Sequence, residues 1–421
     1  TMTLRLALSS GALYPTVQTE DAPREAARLG VDTVELLLQT AGEYEPSFID
    51  ILAANAAAAG VRVHAIHTFL ALHPFFTPYR RRTEEARAKF AQAVEAAHRL
   101  GARAIVWHGA SREEFAEVGG WEPFLATAAD LAGMCHEAGV TLAIENVSWC
   151  AVATVREVQE LAARMPTLGP AGSVGFTFDP YQAAAADANP FMILAAMEGQ
   201  LVNVHISDRR EGDSSRRRLP PGEGDLPWPA LLRAVAASGY EGPLIVEASL
   251  GADPAATMAR IRERIEPLLA TLGGEDDPCA GQMPPGVAEG IRLFNERRFY
   301  ECHEEIEHEW HAERGPIRVL YQGILQIGVG FHHARGGNHR GAVLLLRDGI
   351  AKVSRFLPRC RGIDTARLVR ESQACLDQII ALGPGRLAEF DWDMVPLIHE
   401  VEPAGAGDVE AAALVGGAGE G

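Results

Sequence analysis

The segment TLAIENV (residues 141–147) is an apolar run that ends in a carboxylate and an amide. Its Glu145 stands where an apolar strand would pass into a loop. Three more segments show the same pattern of an apolar run with a polar side chain at or near its end. They are GFTFDP (175–180), LVNVHISD (201–208) and PLIVEAS (243–249). The ligand-type side chains at or near their ends are Asp179, His205 and Glu247. The sequence therefore predicts four strands that each deliver one such side chain near a carboxyl end.

Apolar, β-rich runs alternate with helical runs from Leu4 onward. The predicted strands cover residues 4–10, 31–38, 62–69, 102–109, 141–147, 174–180, 201–208 and 243–249. Eight strand–helix units in about 270 residues are typical of a TIM barrel, in which functional residues lie at the carboxyl ends of the strands. A doubly wound sheet would also alternate, but it rarely needs eight units, and no glycine fingerprint follows the first strand. We therefore predict an α/β fold with a (β/α)8 TIM barrel over residues 1–272.

The remainder of the chain has a different character. Residues 273–285 (GGEDDPCAGQMPP) combine glycine, proline and charge without periodicity, which predicts a linker. Helical segments follow near residues 287–296, 298–313, 316–335, 338–356 and 364–382. Their short connections predict a small all-α helical bundle over residues 286–400. Residues 401–421 are a low-complexity tail, for which we expect loose packing.

Composition narrows the classes of function. The formal net charge of -18 disfavours a nucleic-acid partner, because binding to phosphates draws on Lys and Arg. The sequence lacks an uncharged apolar run of about 18 residues, so we expect no membrane partner. Six cysteines without paired spacing predict reduced thiols and a cytoplasmic location. We expect a small-molecule substrate and a homo-oligomer, most simply a dimer.

The four strand-end side chains, Glu145, Asp179, His205 and Glu247, form an oxygen-rich ligand set. Such a set suits Mn²⁺, Co²⁺ or Mg²⁺, and Zn²⁺ or Fe²⁺ can also bind. Coordination positions stay open for a substrate's oxygens, so a bound metal could polarise a carbonyl group. Glu145 and Glu247 are spaced to take a proton from one face of the substrate and return it on the other. Isolated polar residues at strand ends are the alternative, which four ligand-type residues on consecutive strands disfavour.

Five short motifs carry a resemblance to a known family. They are AIEN (143–146), FDP (178–180), VHISD (204–208), PGEGDLPW (221–228) and IVE (245–247). Through them, residues 4–250 resemble the xylose isomerase-like TIM barrel superfamily, which includes sugar epimerases, inosose dehydratases and endonuclease IV-type enzymes. The resemblance implies a single metal on the four-residue set, with Glu145 and Glu247 as the catalytic acid/base pair. It implies an isomerase or epimerase of a small sugar that acts through a metal-stabilised enediolate.

The epimerases of this superfamily also carry an arginine in the loop after the seventh strand. Arg218, in RLPPG (218–222), is the best match here and is expected to bind substrate. The same enolisation would lead to a dehydratase of the inosose or dehydroshikimate type if a β-hydroxyl group leaves.

The nuclease branch of the superfamily needs a larger metal cluster. His67 in AIHTF and His108 in VWHGA resemble two of its additional histidines. However, Gln182 stands where that branch carries a histidine, and the sequence has no histidine between His205 and His303. Phosphodiester chemistry of the AP endonuclease type is therefore disfavoured.

Three further strand-end residues are candidates for substrate binding. We expect His67 and His108 to bind substrate hydroxyl groups, with hydrogen-bonded core histidines as the alternative. Glu35 ends a segment of the second strand and could reach a substrate oxygen. Trp107 and Trp149 could wall the pocket, and packing is the alternative for both.

The segment FNERRFYECHEEIEHEW (294–310) is dense in histidine and glutamate. On a helix, His303 and Glu307 share one stripe, and His332 on a later helix could complete a second metal site between helices. A solvated, self-paired helix face is the alternative. With LYQGILQIGVGFHHARGGNHRGA (320–342), this segment makes residues 286–356 resemble the helical family called domain of unknown function 309. That resemblance supplies a fold and no function.

A second class of function stays open at this point. The barrel could be a non-catalytic ligand-binding scaffold, with the helical domain mediating assembly. An intact four-ligand set disfavours this alternative, because a pure scaffold has no need of an open metal site.

Overall fold

The computed structural model describes residues 4–68, 74–212, 217–272 and 277–401. The chain divides between Ala270 and Thr271 into two compact units. This boundary lies within two residues of the predicted end of the barrel domain. The first four residues of the predicted linker, 273–276, and the predicted tail beyond Val401 lie outside the described residues.

Within its described part, the first unit is a closed barrel of eight parallel strands in sequence order. The strands are β1 (Arg5–Ser9), β2 (Thr33–Leu38), β3 (Arg62–Thr68), β4 (Ala104–Trp107), β5 (Thr141–Glu145), β6 (Val174–Phe178), β7 (Leu201–Ile206) and β8 (Pro243–Val246). β1 closes the barrel against β8, with Ala7 opposite Ile245. The predicted (β/α)8 fold is therefore confirmed, and the carboxyl ends of all strands meet on one face.

The barrel's helices surround apolar strands that are buried on both faces. The helices are α1 (Ala22–Arg28), α2 (Pro46–Ala59), α3 (Arg80–Leu100), α4 (Arg112–Glu117), α5 (Trp121–Glu137), α6 (Val155–Arg164), α7 (Pro180–Ala185), α8 (Pro190–Ala196), α9 (Trp228–Ala237) and α10 (Pro254–Ala270). Every residue of β4 and β8 is buried, as expected for parallel strands covered on both sides. α2 and α3 end at Gly60 and Gly101, whose positive φ angles of 66° and 68° suit glycine.

One predicted helix is two helices in the structure. The sequence pattern predicted a continuous helix over residues 182–199, but α7 ends at Ala185 and α8 begins at Pro190. The Asn189 side chain accepts a hydrogen bond from the Phe191 amide at 3.0 Å, and Pro190 occupies the first turn. An asparagine cap followed by proline is a strong start signal that overrides continuous apolar periodicity.

The second unit is helical throughout its described core. Its helices are α11 (Pro285–Asn295), α12 (Phe299–Ala312), α13 (Arg318–Arg335), α14 (His339–Val353) and α15 (Thr365–Leu382). Each packs against its neighbour in sequence, so the predicted bundle is confirmed. A Cβ atom on Gly349 would lie 2.7 Å from the carbonyl oxygen of Gly323, so glycine permits the close approach of α13 and α14. Among the described helices of both units, none combines the length and apolarity that a membrane span requires.

The expectation of six reduced thiols is wrong for two cysteines. Cys279 and Cys360, separated by 81 positions, form a disulfide within the second unit. The other cysteines, Cys135, Cys150, Cys302 and Cys375, are free and buried. Local spacing gives no sign of such a pairing, because two residues this far apart meet only when the helices between them have folded.

Candidate metal centre

The four predicted ligands lie at the carboxyl ends of four consecutive strands. Glu145 is the last residue of β5, and His205 is the next-to-last residue of β7. Asp179 and Glu247 directly follow β6 and β8. One ligand atom from each of the four lies within 4.8 Å of the others. The convergence predicted from the sequence is therefore present in the fold.

Asp179 is held in place by two sets of hydrogen bonds. Its Oδ1 accepts from the backbone amides of Tyr181 and Gln182, at 2.8 and 3.1 Å, and so caps α7. The Asn146 side chain accepts from the Asp179 amide and donates to the Asp179 carbonyl, both at 2.8 Å. These bonds tie the AIEN motif to the FDP motif and leave Oδ2 of Asp179 facing the centre.

The buried polar atoms of the centre fit a cation. Nδ1 of His205 lies 3.4 Å from Oε1 of Glu145 and 3.5 Å from Oε2 of Glu247. Within the described residues, neither this Nδ1 nor either carboxylate oxygen of Glu145 has a well-aligned hydrogen bond, although His108 Nε2 lies 3.1 Å from Oε2. Buried acceptors without partners are costly. A divalent cation that prefers oxygen ligands would satisfy them, so the residues fit the metal that the ligand set predicts.

His67 and His108 join the same cluster. Their Nε2 atoms lie 3.2 Å apart, and His67 Nε2 lies 3.5 Å from Oε2 of Glu145 and 3.9 Å from Oε1 of Glu247. With Glu145 they form a second, overlapping group whose ligand atoms are close enough to hold a metal. Both histidines thus face the carboxylates of the centre, and His67 is also buried, with its Nδ1 3.2 Å from the carbonyl oxygen of Thr68.

Glu35 does not face a substrate position. Its side chain is fully buried inside the barrel, and its carboxylate lies against His205 and Asn203. The predicted role of Glu35 in substrate binding gains no support from this placement. Glu35 is the third residue of β2, which continues to Leu38, so its side chain lies below the carboxyl end of the strand and not at that end.

Arg218 lies beside two of the predicted ligands. Its Nη1 donates to Asp179 Oδ2 at 2.8 Å and to Ser207 Oγ at 3.1 Å, and it also contacts Oε2 of Glu247. Its guanidinium group stacks over the ring of Tyr181, 4.8 Å from the ring centroid. Arg218 and Glu247 line an open cavity of about 750 Å³. A cavity of this size accommodates a small molecule.

Trp149 and Trp107 have different surroundings. Trp149 is half exposed, and its ring lies edge-on to His108 with centroids 5.8 Å apart. Trp107 is fully buried and stacks with Phe76 and Phe124. Trp107 therefore packs in the core, whereas Trp149 stands beside the centre.

Charges in the centre act strongly on one another. Burial acts to raise the pKa of Glu145, but the charges and hydrogen bonds of His205 and His108 together hold that pKa well below the ordinary value. Burial acts to lower the pKa of His205, but the neighbouring carboxylates, chiefly Glu35, hold it well above the ordinary value. Burial raises the pKa of Asp179 to about 6 despite the opposing effect of Arg218. The centre thus concentrates acidic groups that require positive charge nearby.

Asp208 organises the loop that carries Arg218 and was not singled out from the sequence. Its carboxylate is fully buried and accepts from the amides of Gly222 and Leu226 at 2.9 and 3.1 Å, and from Nε1 of Trp228 at 2.7 Å. Its backbone also exchanges two hydrogen bonds with Leu219. The signal was available, since an aspartate directly before a loop rich in glycine and proline is well placed to accept backbone amides.

The predicted second metal site in the helical unit does not assemble. Across the described ranges, the groups whose ligand atoms approach closely enough to hold a metal all lie in the barrel. Tyr300 packs beside the rings of His303 and His332, with centroids 6.4 and 6.0 Å away. Glu307 pairs instead with His311 at 3.7 Å, one turn along the same helix. This arrangement matches the alternative of a self-paired helix face.

Comparisons with known proteins agree with the two-part architecture. A family model described as xylose isomerase-like TIM barrel matches residues 23–268, and the model of the domain of unknown function 309 matches residues 287–345. The rhizopine catabolism protein MocC of Rhizobium meliloti is 32% identical over 143 residues, which are 30% of this chain and 42% of that protein. The chain therefore matches less than half the length of this relative.

Solved structures show the same barrel. A D-tagatose 3-epimerase-like protein superimposes with a TM-score of 0.53 at 18% identity, over 64% of this chain and 98% of the other. The IolI protein, solved with a bound zinc atom, gives a TM-score of 0.53 at 18% identity, over 64% and 99% of the two chains. At this level of identity the likeness concerns the fold.

Proposed function

Because the chain belongs to the xylose isomerase-like TIM barrel family, we propose that it is a divalent-metal-dependent isomerase or epimerase of a small polyhydroxylated carbonyl compound. The observation that carries the proposal is the convergence of Glu145, Asp179, His205 and Glu247 at the carboxyl face of the barrel. Two carboxylates of this set can exchange protons with carbon, and the adjoining cavity is large enough for a sugar. One protein with the same barrel is described as D-tagatose 3-epimerase-like, which supports testing ketoses first.

The proposed chemistry begins with enolisation next to the substrate carbonyl. A divalent cation held by the four side chains would polarise that carbonyl and balance the charge that develops on its oxygen. Glu145 or Glu247 takes the proton from the neighbouring carbon. The electron pair of that C–H bond forms the C=C bond of the enediolate, and the π electrons of the carbonyl move onto its oxygen. The opposite carboxylate then returns a proton to the other face of that carbon, which gives an epimer. If the proton returns instead to the former carbonyl carbon, the hydroxyl group on the neighbouring carbon gives up its proton to become the new carbonyl, and the former carbonyl oxygen takes up a proton, which gives an isomer.

Other residues of the centre would hold the substrate during these steps. The Arg218 guanidinium lies beside Glu247 and the cavity, where it can donate to substrate oxygens. His67 and His108 stand next to Glu145 and can bind hydroxyl groups. Trp149 beside His108 offers an apolar surface to the C–H face of a sugar.

The proposal is tested by proton exchange with solvent. The full chain, reconstituted with Mn²⁺ or Co²⁺, is incubated with a panel of ketoses and inososes in deuterated water, and products are read by NMR and mass spectrometry. We expect deuterium at the carbon next to the carbonyl of the substrate and its product. An unsaturated product would instead assign the site to a dehydratase, in which the β-hydroxyl group leaves.

Glu247→Gln provides the decisive variant, because it removes a proton-transferring group while keeping its size. We expect exchange to fall by about 100- to 10,000-fold, the usual contribution of general acid–base catalysis. Glu241→Gln is the matched control. Glu241 is exposed and lies two residues before the amino end of β8, whereas Glu247 follows the carboxyl end. Exchange at the wild-type rate in Glu247→Gln, or product formed without deuterium, would contradict the proposal.

A further inference from the structure

The fully buried carboxylate of Glu35 lies directly behind His205. Its Oε1 and Oε2 atoms are 3.0 and 3.1 Å from Nε2 of the histidine ring. The two residues come from β2 and β7 and are 170 positions apart in the sequence. Burying a carboxylate is costly unless it is paired, so this placement calls for an explanation.

The two nitrogens of the His205 ring have different surroundings. Nε2 faces Glu35 inside the barrel, whereas Nδ1 faces Glu145 and Glu247 in the candidate metal centre, at 3.4 and 3.5 Å. A neutral imidazole carries its single proton on one nitrogen and offers a lone pair on the other. The neighbour of Nε2 therefore decides whether Nδ1 is a donor or an acceptor.

Asn203 reinforces this arrangement from the same strand as His205. Its Nδ2 donates to Oε2 of Glu35 at 2.9 Å. Nδ2 also lies 3.2 Å from Nε2 of His205, and with a proton on Nε2 this contact joins two donors that both direct their protons at Oε2. The amide thus supports the carboxylate and holds it against the ring. A lone pair on Nε2 would face the negatively charged carboxylate, and a proton on Nε2 relieves that repulsion by forming a hydrogen bond.

We propose that Glu35 is a positioning residue that keeps the proton of His205 on Nε2 and thereby makes Nδ1 the metal-ligating atom. This inference rests on the proposed function, because it assigns a role toward the same metal. Glu35 also forms a close group with His67 and His205, but in this proposal it acts through His205 and not as a metal ligand. Carboxylates behind metal-bound histidines orient the ring and increase its basicity, and their loss typically lowers metal affinity by about 10- to 100-fold.

The first test is metal affinity in the full-length protein. Mn²⁺ binding is measured by competition with a chelator for the wild type, Glu35→Gln and Glu35→Ala. We expect affinity to fall by about tenfold in Glu35→Gln, which keeps one acceptor oxygen, and by up to about 100-fold in Glu35→Ala. Glu43→Gln is the matched control, because Glu43 follows β2 and binds the Gln39 amide and Thr19. Its metal affinity should equal that of the wild type.

The second test observes the tautomer, which a merely structural role of Glu35 would not alter. Long-range proton–nitrogen NMR of the Zn²⁺-loaded protein reports which ring nitrogen of His205 carries the proton, and a His205→Gln sample identifies the signal. We expect Nε2–H in the wild type and a loss or mixture of this state in Glu35→Ala. Circular dichroism checks that each variant is folded.

The outcomes separate this inference from the proposed function. A wild type that binds metal while Glu35→Ala binds it equally well overturns the role of Glu35 alone. A proton on Nδ1 in the Zn²⁺-loaded wild type does the same. A wild type that binds no metal overturns the proposed function, and the inference falls with it.

Discussion

The acidic residues near the carboxyl face of the barrel depend on nearby positive charge. Four carboxylates, from Glu35, Glu145, Asp179 and Glu247, gather within one small volume, and three of them are fully buried. Arg218 supplies positive charge to Asp179 and Glu247, and His205 contacts the other two. The cost of holding these charges together is typical of sites built to bind a cation or a polar substrate.

Arg218→Gln should destabilise the metal-free protein. The change leaves Asp179 and Glu247 without their nearest cation, and breaking such a largely buried pair costs about 3–5 kcal/mol. Added Mn²⁺ should restore more thermal stability to the variant than it adds to the wild type, because the metal replaces the missing charge. Differential scanning calorimetry with and without Mn²⁺ measures both effects. Arg210→Gln, an exposed change in the same loop, serves as the control, and an Arg218 variant as stable as this control would refute the prediction.

Asp179→Asn should stabilise the metal-free protein at alkaline pH, by no more than about 3 kcal/mol. Burial raises the pKa of the Asp179 carboxyl to about 6 from its ordinary 3.8, so the folded state binds this proton more tightly than the unfolded state. The contribution of this carboxyl to the free energy of unfolding therefore falls as pH rises from about 4 to about 6. Asparagine can still cap α7.

Urea unfolding in the presence of a chelator, at about pH 8 and about pH 5, tests this pH dependence. The advantage of Asp179→Asn should be larger at the higher pH and shrink at the lower one. A variant less stable than the wild type at about pH 8 would show that the Arg218 pair outweighs burial.

The sequence predicted the identity of the convergent residues better than their roles. Glu145, Asp179, His205 and Glu247 could be found because each follows or ends an apolar strand, and parallel strands bring their carboxyl ends together. Glu35 was grouped with strand-end residues, but β2 continues beyond it to Leu38, and its side chain lies against His205 deep in the barrel. Depth depends on the stagger of strands around the barrel, which a strand's own sequence does not encode.

At the scale of elements, the loop between β7 and α9 determines where Arg218 lies. Asp208, the second residue after β7, accepts hydrogen bonds from the amides of Gly222 and Leu226. Asp208 thereby holds the segment that leads into α9 at two points, Gly222 and Leu226. The course of residues 217–227 follows largely from one buried carboxylate, and the glycines and prolines in this segment alone would not predict it.

Asp208→Ala should loosen this loop. The Gly222 and Leu226 amides and the Trp228 indole lose their acceptor, and each unsatisfied buried donor costs about 1–3 kcal/mol. Hydrogen exchange at Gly222 and Leu226 should accelerate, while exchange in β5 should stay as in the wild type. Unchanged protection at both amides would show that other contacts hold the loop.

Element boundaries were predictable where a chemical signal stands at the boundary itself. Gly60 and Gly101 stand directly after α2 and α3, where glycine is an ordinary signal for the end of a helix. The break between α7 and α8 interrupts a continuous apolar periodicity, and Asn189 with Pro190 is the local signal for it. The His/Glu-rich face of α12 was correctly seen as a stripe, but metal ligands also require a facing helix that brings a third side chain close, and spacing along one helix cannot show that.

At the scale of the whole molecule, the chain combines two units with separate cores. The barrel unit carries the candidate centre, and the helical unit carries the disulfide between Cys279 and Cys360. The composition shift after residue 272 lies within two residues of the division between the two units. The disulfide was not predictable, because it joins the segment before α11 to the segment before α15.

Replacing both cysteines, Cys279→Ser with Cys360→Ser, should destabilise the helical unit by about 2–4 kcal/mol, because the crosslink restricts the unfolded chain. Thermal unfolding followed by circular dichroism measures the change. A reductant should lower the stability of the wild type and leave the double variant unaffected. Metal content of the barrel should be the same in both proteins. A reductant effect of equal size on both would exclude the disulfide as its cause.

The most direct test of the central claim is the metal content of the full chain after reconstitution with Mn²⁺, Co²⁺ or Zn²⁺ and removal of unbound ions. Mass spectrometry of the elements compares the wild type with the double variant Asp179→Asn, His205→Gln. We predict at least about one equivalent of metal per wild-type chain and a large loss in the variant, since four ligands from four strands form one centre. A wild-type chain that stays without metal, or a variant that retains the wild-type content, would contradict the account.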